Sequence, residues 1–508
     1  MKSLSRRTFL SGSAATLGMA VLPASFGSPV NAQMGATNLQ VTTRTLDIGG
    51  RAATVKGILD GSGRSGLVLD PGARFRVELT NALQEETIVH WHGQIPPNSM
   101  DGVSNTAPMI APGSSRMFDF VPRPGTYWMH SHVPAQEIDL LAAPLIVRSA
   151  EDAVSGRQEV VMFLHDFSFR SGEEILADFT SGAAMDHGMV QHGSRMEATP
   201  RRIIGNHSAD PMQVPGSAGM DHGAMAMPGM GHSGMAMDLN DFEFDAYLAN
   251  DRTLDDPEVV RVDKRGRVLL RIINASSMTA FWIDLGDTQG ELVAVDGDPV
   301  EPLRGSRFGL AMGQRLDIEL TMPESGLAVP VLALREGSRE RTGLILAPAD
   351  AEVSKLANQS DSTHPAFSGG IAMELALRAR HPLDIKRPDR THMVMLGGAM
   401  APYSWTINGQ LWGRHTPIAV LQGERVEMMF HNMSMMAHPM HLHGHVFQVV
   451  DINGTRIAGA VRDTVHVPAM GMVTVAFDAG EVAPWMLHCH HMAHMATGMM
   501  TELDVRAT

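Results

Sequence analysis

Cysteine is almost absent from this chain: Cys489 is the only one among 508 residues. A single thiol excludes any intrachain disulfide. The usual fate of a lone cysteine is to be a small buried hydrophobe. Here its neighbours suggest another use, because it lies in the segment His488-Cys489-His490-His491-Met492-Ala493-His494. A buried free thiol among incidental histidines is the alternative.

Long apolar runs and excess positive charge are also lacking. Beyond the N-terminus, nothing approaches the roughly 18 consecutive apolar residues of a spanning helix, so we expect no membrane anchor in the mature form. The chain has 40 Lys and Arg against 55 Asp and Glu, for a net charge of −15. This balance argues against nucleic acid and anionic membrane surfaces as partners. A cationic substrate would be favoured.

The N-terminus carries an export signal. Ser5-Arg6-Arg7-Thr8-Phe9-Leu10 is a twin-arginine pattern, followed by a weakly apolar run to about Ala24 and by small residues ending at Ala32. We therefore expect residues 1–32 to be a signal peptide read by the twin-arginine export machinery, with a periplasmic mature protein starting near Gln33. A chance arginine pair before a membrane anchor is the alternative.

Methionine, histidine, glycine and proline are abundant. The counts are 38 Met, 24 His, 50 Gly and 29 Pro. Many turn residues with few long apolar periodic runs predict an all-β chain of short strands. The length suggests about three domains. Methionine and histidine together are a composition suited to soft metal ions.

Three segments of the chain repeat one pattern. Each runs from Arg to Asn over the same interval with strand-like apolar spacing: Arg74–Asn81, Arg267–Asn274 and Arg425–Asn432. Equal distances beyond each Asn lead to His90, Ile283 and His441, then to His92, Leu285 and His443, and then to Gly93, Gly286 and Gly444. The chain is thus three versions of one β-domain, and only the first and third carry a His-x-His strand.

A second element repeats between the first and third domains. Tyr127–His132 aligns with Trp485–His490, and Ser131 stands where Cys489 stands. Both domains therefore offer paired imidazoles, and only the third offers a thiolate. We predict a shared metal site between the first and third domains.

The strand around Cys489 can serve two sites. Side chains alternate along an extended strand, so the thiol faces away from the imidazoles of His488 and His490. Thiolate, imidazole and a distant thioether are the ligands of a blue copper centre. Cys489, His494 and Met499 are spaced to supply all three.

Composition suggests the domain boundaries. We place domain one at 33–148, domain two at 149–348, a linker at 349–390 and domain three at 391–508. Domain two contains an insert at about 181–238, rich in Met, His, Gly and Pro, which cannot fold by itself and whose thioethers suit Cu(I). Its candidate copper ligands are Met185, His187, Met189, Met220, His222, Met225, Met227, Met230, His232, Met235 and Met237. An inert loop is the alternative.

These motifs resemble those of the three-domain multicopper oxidases. The shared motifs are His-Trp-His-Gly at 90–93, His-Ser-His at 130–132, His-Pro-x-His-Leu-His-Gly at 438–444 and the block around Cys489. With the export signal and the insert, the chain is similar to bacterial periplasmic cuprous oxidases. The resemblance implies three cupredoxin-like Greek-key β-barrel or sandwich domains and four copper ions.

The resemblance also implies ligands. Type 1 copper would take His438, Cys489 and His494, with Met499 axial. Type 2 copper would take His90 and His441. The type 3 pair would take His92, His130, His132, His443, His488 and His490. Electrons would pass from type 1 through Cys489 to His488 and His490.

The chain departs from the family at two positions. Relatives often have an acid four residues before the first type 1 histidine and another just after the second, where this chain has Ser434 and Met495. Met436 is then the best candidate entry ligand for substrate copper, with a core role as the alternative. Asp101 matches another family acid and is the candidate proton relay, or else only a turn former.

Three functions compete at this point. The first is an enzyme that oxidises Cu(I) with O2 for copper tolerance. The second is a laccase-like oxidase that takes phenols or amines as small organic reductants. The third is a copper-sequestering protein, which would have no need of the histidine motifs. We expect a monomer.

Overall fold

The computed structural model describes residues 35–181, 239–367 and 371–508. The predicted signal peptide and all eleven candidate copper ligands of the insert lie outside these residues. Strands dominate the described chain, and the prediction of an all-β protein is confirmed.

The N-terminal strands form two four-stranded sheets, which we call the N-terminal sheet pair. One sheet has the order β2-β1-β4-β6 and the other β3-β8-β7-β5. The strands are β1 Thr37–Ile48, β2 Arg51–Asp60, β3 Leu67–Leu69, β4 Phe75–Asn81, β5 Val89–His92, β6 Ser115–Phe120, β7 Gly125–Ser131 and β8 Ala142–Val147.

The next strands form the middle sheet pair. Its six-stranded sheet has the order β10-β9-β12-β17-β14-β15, and its five-stranded sheet β11-β19-β18-β13-β16. The strands are β9 Gln158–Phe167, β10 Ala246–Ala249, β11 Val259–Arg261, β12 Arg267–Asn274, β13 Phe281–Asp284, β14 Gly290–Val295, β15 Asp298–Gly305, β16 Arg307–Leu310, β17 Arg315–Thr321, β18 Val329–Arg335 and β19 Arg341–Ala347.

The last strands form the C-terminal sheet pair. One sheet has the order β21-β20-β23-β29-β25-β26, with β27 beside β25, and the other β22-β31-β30-β24-β28. The strands are β20 Arg390–Met400, β21 Tyr403–Ile407, β22 Ile418–Leu421, β23 Arg425–Asn432, β24 His438–Leu442, β25 Phe447–Ile452, β26 Thr455–Arg456, β27 Val461–Arg462, β28 Thr464–Val467, β29 Met472–Asp478, β30 Pro484–Cys489 and β31 Met500–Arg506.

Helices in the described chain are short. They are α1 Pro134–Ile138, α2 Ala150–Val154, α3 Gly172–Thr180, α4 Ile371–Ala376 and α5 Met492–Ala496, with a 3-10 turn at Asn98–Met100. Helix α1 follows β7, α5 follows β30, and these two helices pack together with α3. None of the helices described is long and apolar enough to cross a membrane.

The three repeated asparagines share one structural task. Asn81, Asn274 and Asn432 are all fully buried at the ends of β4, β12 and β23. Each amide donates to a carbonyl four or five residues on, and each amide oxygen accepts from the backbone N–H two residues on. Because this side chain satisfies the backbone of the turn, the repeat fixes how each strand leads to the next one.

The predicted linker is anchored to its neighbours. Isolated bridges join Glu340 to Gln359 and Val300 to Ala379. Trp282 donates its indole N–H to the carbonyl of Pro365 at 2.8 Å. The segment therefore lies along the middle sheet pair before β20 begins at Arg390.

Two candidate metal sites

We define the cysteine site as Cys489, His438 and His494, which the structure brings together, with Met499, whose backbone contacts that of Cys489. The Cys489 Sγ lies 3.7 Å from the Nδ1 of His438 and 3.6 Å from the Nδ1 of His494, and these two nitrogens are 3.1 Å apart. All four residues are fully buried. The three donor atoms converge on one point, as a single metal ion requires.

Local backbone geometry builds this site. Cys489 ends β30, and its N–H donates to the carbonyl of Met499, while the Met499 N–H donates to the carbonyl of His494. The N–H of His491 points at the Cys489 sulfur, 3.4 Å away. Helix α5 thus turns the chain back so that His494 and Met499 return to the cysteine.

The outer nitrogens of the two imidazoles are occupied. The Nε2 of His438 lies 2.8 Å from the hydroxyl of Ser434, and the Nε2 of His494 lies 3.2 Å from a carboxylate oxygen of Asp241. Such outer partners fix the ring orientation and leave each Nδ1 free to bind a metal. Asp241 also accepts a hydrogen bond from Tyr403.

Burial keeps this site neutral without a metal. It raises the pKa of the Cys489 thiol far above its usual value, and it lowers those of His438 and His494. A metal ion must therefore displace the thiol proton on binding. Met436, the candidate entry ligand, is also buried.

The histidine cluster is the second site. It lies between the N-terminal and C-terminal sheet pairs and consists of His90, His92, His130, His132, His441, His443, His488 and His490, all buried. Pairing of β5 with β7 sets His90 opposite His130, and pairing of β24 with β30 sets His441 opposite His488. Because Cys489 faces the other way on β30, one strand serves both sites.

Contacts across the cluster join the two sheet pairs. The Nε2 atoms of His90 and His441 are 3.4 Å apart, and those of His132 and His488 are also 3.4 Å apart. The Nε2 of His443 lies 3.0 Å from that of His488. Several overlapping groups of three residues, such as His132, His443 and His488, place their ligand atoms within 4.8 Å of one another.

Buried acids hold the cluster from outside. Asp101 places its carboxylate 2.8 Å from the Nδ1 of His443 and its carbonyl 2.8 Å from the Nδ1 of His90. Asp463 contacts the Nε2 of His92 at 3.1 Å and forms a buried ion pair with Arg315 of the middle sheet pair. Asp101 therefore does more than form a turn.

Glu137 is a third acid at the cluster. Its Oε2 lies 2.7 Å from the Nδ1 of His130, and its Oε1 lies 3.9 Å from the Nδ1 of His490. It is buried in α1, and burial raises its pKa well above the ordinary value, with the charge of Asp166 adding to the effect. One carboxylate thus faces an imidazole from each sheet pair.

The cluster has nitrogen atoms that need a ligand. The Nδ1 of His92, the Nε2 of His130 and both nitrogens of His490 are buried and have no hydrogen-bond partner among the described residues. Burial and mutual repulsion lower the pKa values of these three histidines, so their lone pairs are available. An unpaired buried polar atom costs about 1–3 kcal/mol. Metal ions would remove that cost, so the donor set fits them.

Some site residues were missed by sequence reasoning. Glu137 had a weak signal, since it lies seven residues after His130 on the helix that follows the His-Ser-His motif. No sequence signal marks Asp241, Asp463, Arg315 or Tyr403, because their partners are distant in sequence. Met495, at the position where relatives often have an acid, is buried in α5.

Models of the multicopper oxidase family match residues 41–152, 222–328 and 384–508. The chain is 31% identical to multicopper oxidase MmcO of Mycobacterium tuberculosis over 85% of its length and 79% of that protein. It is 25% identical to copper resistance protein A of Escherichia coli over 99% of both. Its fold is similar to that of Fet3p, a multicopper oxidase that functions in iron import, with a TM-score of 0.72, 17% identity and coverage of 92% and 90%.

The matched family segments cover more than half of the chain and include every residue of the cysteine site and the histidine cluster. The strand architecture agrees with the cupredoxin-like domains of the structural neighbours. The chain belongs to the multicopper oxidase family, whose members are oxidases with copper cofactors.

Proposed function

We propose that the protein oxidises Cu(I) to Cu(II) at the cysteine site and reduces O2 to water at the histidine cluster. In this proposal the cysteine site would hold type 1 copper on His438, Cys489, His494 and Met499. The cluster would hold type 2 copper on His90 and His441 and a type 3 pair on its other six histidines. The convergent donor atoms and the unpartnered cluster nitrogens support four copper ions in these positions.

When bound, the coppers supply single-electron uptake at one site and four-electron reduction of O2 at the other. The chain places these two tasks at separate sites and links the two sites through its backbone. Cys489 is bonded through the backbone to His488 and His490, so one tripeptide links the two sites covalently. The Nδ1 of His488 also lies 3.0 Å from the carbonyl oxygen of Cys489, so a contact between ring and backbone gives a second connection between these two residues.

Asp101 is the proposed proton relay. Its carboxylate contacts the cluster histidine His443 while its carbonyl contacts His90, so it lies at the edge of the space that the eight imidazoles surround. Relatives often have an acid where this chain has Met495, and here Glu137 brings a carboxyl group to the cluster from α1.

One observation carries the choice of Cu(I) over an organic reductant. The Met- and His-rich insert ends at about 238, and Asp241 contacts the Nε2 of His494. The segment that follows the insert therefore contacts a proposed type 1 ligand. Thioethers favour Cu(I), so the insert would raise the local concentration of Cu(I) beside the site of electron uptake.

Deletion of Ser181–Asp238 tests this function. The deleted protein should keep its colour and the four coppers of the cysteine site and the histidine cluster, because the proposed ligands of those four ions lie outside the insert. Oxidation of Cu(I) should slow, and oxidation of a bulky phenol should hold steady or rise. Both rates should be measured at matched copper loading. Unchanged Cu(I) oxidation would favour the laccase-like alternative, and equal loss of both activities would make the insert structural.

The proposal includes export. The twin-arginine pattern supports a periplasmic location, where Cu(I) oxidation would serve copper tolerance. Export of a reporter fused to residues 1–32, lost on replacing Arg6 and Arg7 by Lys, is the matching test. Normal export of that variant would overturn this part of the proposal.

A further inference from the structure

One outward face of the C-terminal sheet pair is lined by soft-metal ligands. We define the methionine face as Met393 and Met395 on β20, Met429 and His431 on β23, and Met472 on β29. In the sheet register, Met393 is paired with Met429, Met395 with His431, and His431 with Met472. Paired residues share a face of the sheet, with neighbouring strands about 4.8 Å apart. Five ligand side chains therefore stand side by side.

The opposite side of the same strands confirms which way these residues point. Val394 pairs with Phe430, which pairs with Val473, and all three are buried. The members of the methionine face alternate with them, and Met393 and Met395 are 58% and 40% exposed. The face is thus the solvent side of the sheet.

Exposed methionines are concentrated at this place. Five methionines of the described residues are at least 40% exposed, and two of them belong to the face. Two more, Met433 and Met470, follow β23 and precede β29, at one edge of the face, and are 53% and 63% exposed. The fifth is Met117 in the N-terminal sheet pair, 45% exposed. Exposure gives up the free energy that burial of a methionine provides, about 1.5–3 kcal/mol per side chain.

The edge of the face leads to the cysteine site. The N–H of Met470 donates to the carbonyl of Ser434, and Met433 is the residue before Ser434. The Ser434 hydroxyl contacts the outer nitrogen of His438. Met433, just beyond the end of β23, is therefore one residue from a side chain that contacts a proposed type 1 ligand.

We propose that the methionine face, with Met433 and Met470 at its edge, is a surface binding site for Cu(I). Clustered thioethers with one imidazole form a soft donor set that prefers monovalent copper to hard cations. The site shares no residue with the cysteine site, the histidine cluster or the insert. Its binding chemistry stands by itself, and its use as a store of substrate rests on the function proposed above.

Binding can be observed directly with Ag(I), a soft monovalent ion that the enzyme does not oxidise. Holoenzyme labelled with 13C at the methionine methyl groups would be reduced without air and titrated with Ag(I). The methyl signals of Met393, Met395, Met429 and Met472 should shift together and saturate, while that of Met117 stays in place. If these signals do not move, or move only at Ag(I) concentrations that also shift Met117, the site does not exist.

A triple variant tests its use. Met393→Leu, Met395→Leu and Met429→Leu together keep side-chain volume and remove three thioethers. The KM for Cu(I) should rise about three- to ten-fold with kcat retained, because less Cu(I) is held near the entry point. The control is Met117→Leu, which should keep the wild-type KM. An unchanged KM in the triple variant would reject the storage role.

The two proposals fail in different ways. A wild-type enzyme that turns over phenols and not Cu(I) would overturn the proposed function and leave the Ag(I) shifts in place. A wild-type enzyme that oxidises Cu(I) with no Ag(I) shifts on the face would overturn the surface site alone.

Discussion

The cysteine site and the histidine cluster are built in opposite ways. Every proposed ligand of the cysteine site comes from the C-terminal sheet pair, from β24, from the end of β30 and from the segment around α5. The cluster takes four imidazoles from the N-terminal sheet pair and four from the C-terminal pair. The first site therefore depends on local chain geometry, whereas the second exists only when two sheet pairs are docked together.

The partners around the two sites show the same contrast. Around the cysteine site, a serine hydroxyl and Asp241 occupy the outer nitrogens. Around the cluster, Asp101, Asp463 and Glu137 each contact imidazoles, and the buried pair of Asp463 with Arg315 ties the cluster to the middle sheet pair. Removing one member of a buried ion pair costs about 3–5 kcal/mol, so loss of Asp463 alone would destabilise the assembly.

The largest expected effect comes from Cys489→Ser. The only thiolate is lost, so the blue absorption of a Cu(II)–thiolate bond should disappear and oxidase activity should fall at least about a hundredfold. The cluster should keep its copper, measured as copper per protein. A variant that keeps the blue band would show that the type 1 assignment is wrong.

His92→Ala should break the other site. Because His92 belongs to the cluster, the blue colour should remain while O2 consumption is abolished. Absorbance and an oxygen electrode on the same sample give both readings. Retained turnover would contradict the division of the protein into two sites.

Glu137→Gln should weaken the cluster more gently. The amide keeps the shape but replaces the carboxyl group that orients His130, and loss of such partners typically lowers metal affinity or activity about 10–100-fold. Copper content after dialysis against a chelator should fall while the blue band persists. Glu151→Gln, at an exposed position in α2, is the control and should keep its copper.

Asp241→Asn tests whether the cysteine site has a comparable outer partner. We expect about a tenfold loss in Cu(I) oxidation and a shift of the blue band, since the hydrogen bond to His494 changes. Copper in the cluster should stay constant. The exposed Asp256→Asn serves as the control, and an identical spectrum in the Asp241 variant would remove Asp241 from the site.

The smallest effect on the chemistry is expected from His165→Leu, which belongs to neither site. Burial lowers the pKa of His165 from 6.5 to about 4, and neither ring nitrogen has a partner among the described residues. As pH falls from 6.5 towards 4, the unfolded chain takes up a proton that the folded chain refuses, so stability is lost in that window. The variant should lose less stability there, by up to about 3 kcal/mol.

Chemical denaturation at pH 7 and pH 4.5 measures this difference. Oxidase activity at pH 7 should match the wild type. The exposed His381→Leu is the control and should show the wild-type loss of stability on acidification. An equal loss in the His165 variant would show that other buried histidines account for the acid sensitivity.

Much of this protein follows from its sequence. Period-two apolar spacing and turn residues indicate an all-β chain, and the Arg-to-Asn repeat predicts three related units, since Asn81, Asn274 and Asn432 perform one local task. Alternation along a strand places Cys489 opposite to His488 and His490 by covalent geometry alone. Such features depend on residues close in sequence, whose relative positions the backbone restricts to few options.

The tertiary structure decided the rest. His494 and Asp241 are 253 residues apart, and His92 and Asp463 are 371 apart. No local pattern specifies such contacts, because they depend on how separate sheets dock and on which buried groups must be paired there. The methionine face likewise exists only through strand register, which places residues 393, 429 and 472 on one surface. Sequence determined which ligands are present, and packing determined which partners hold them.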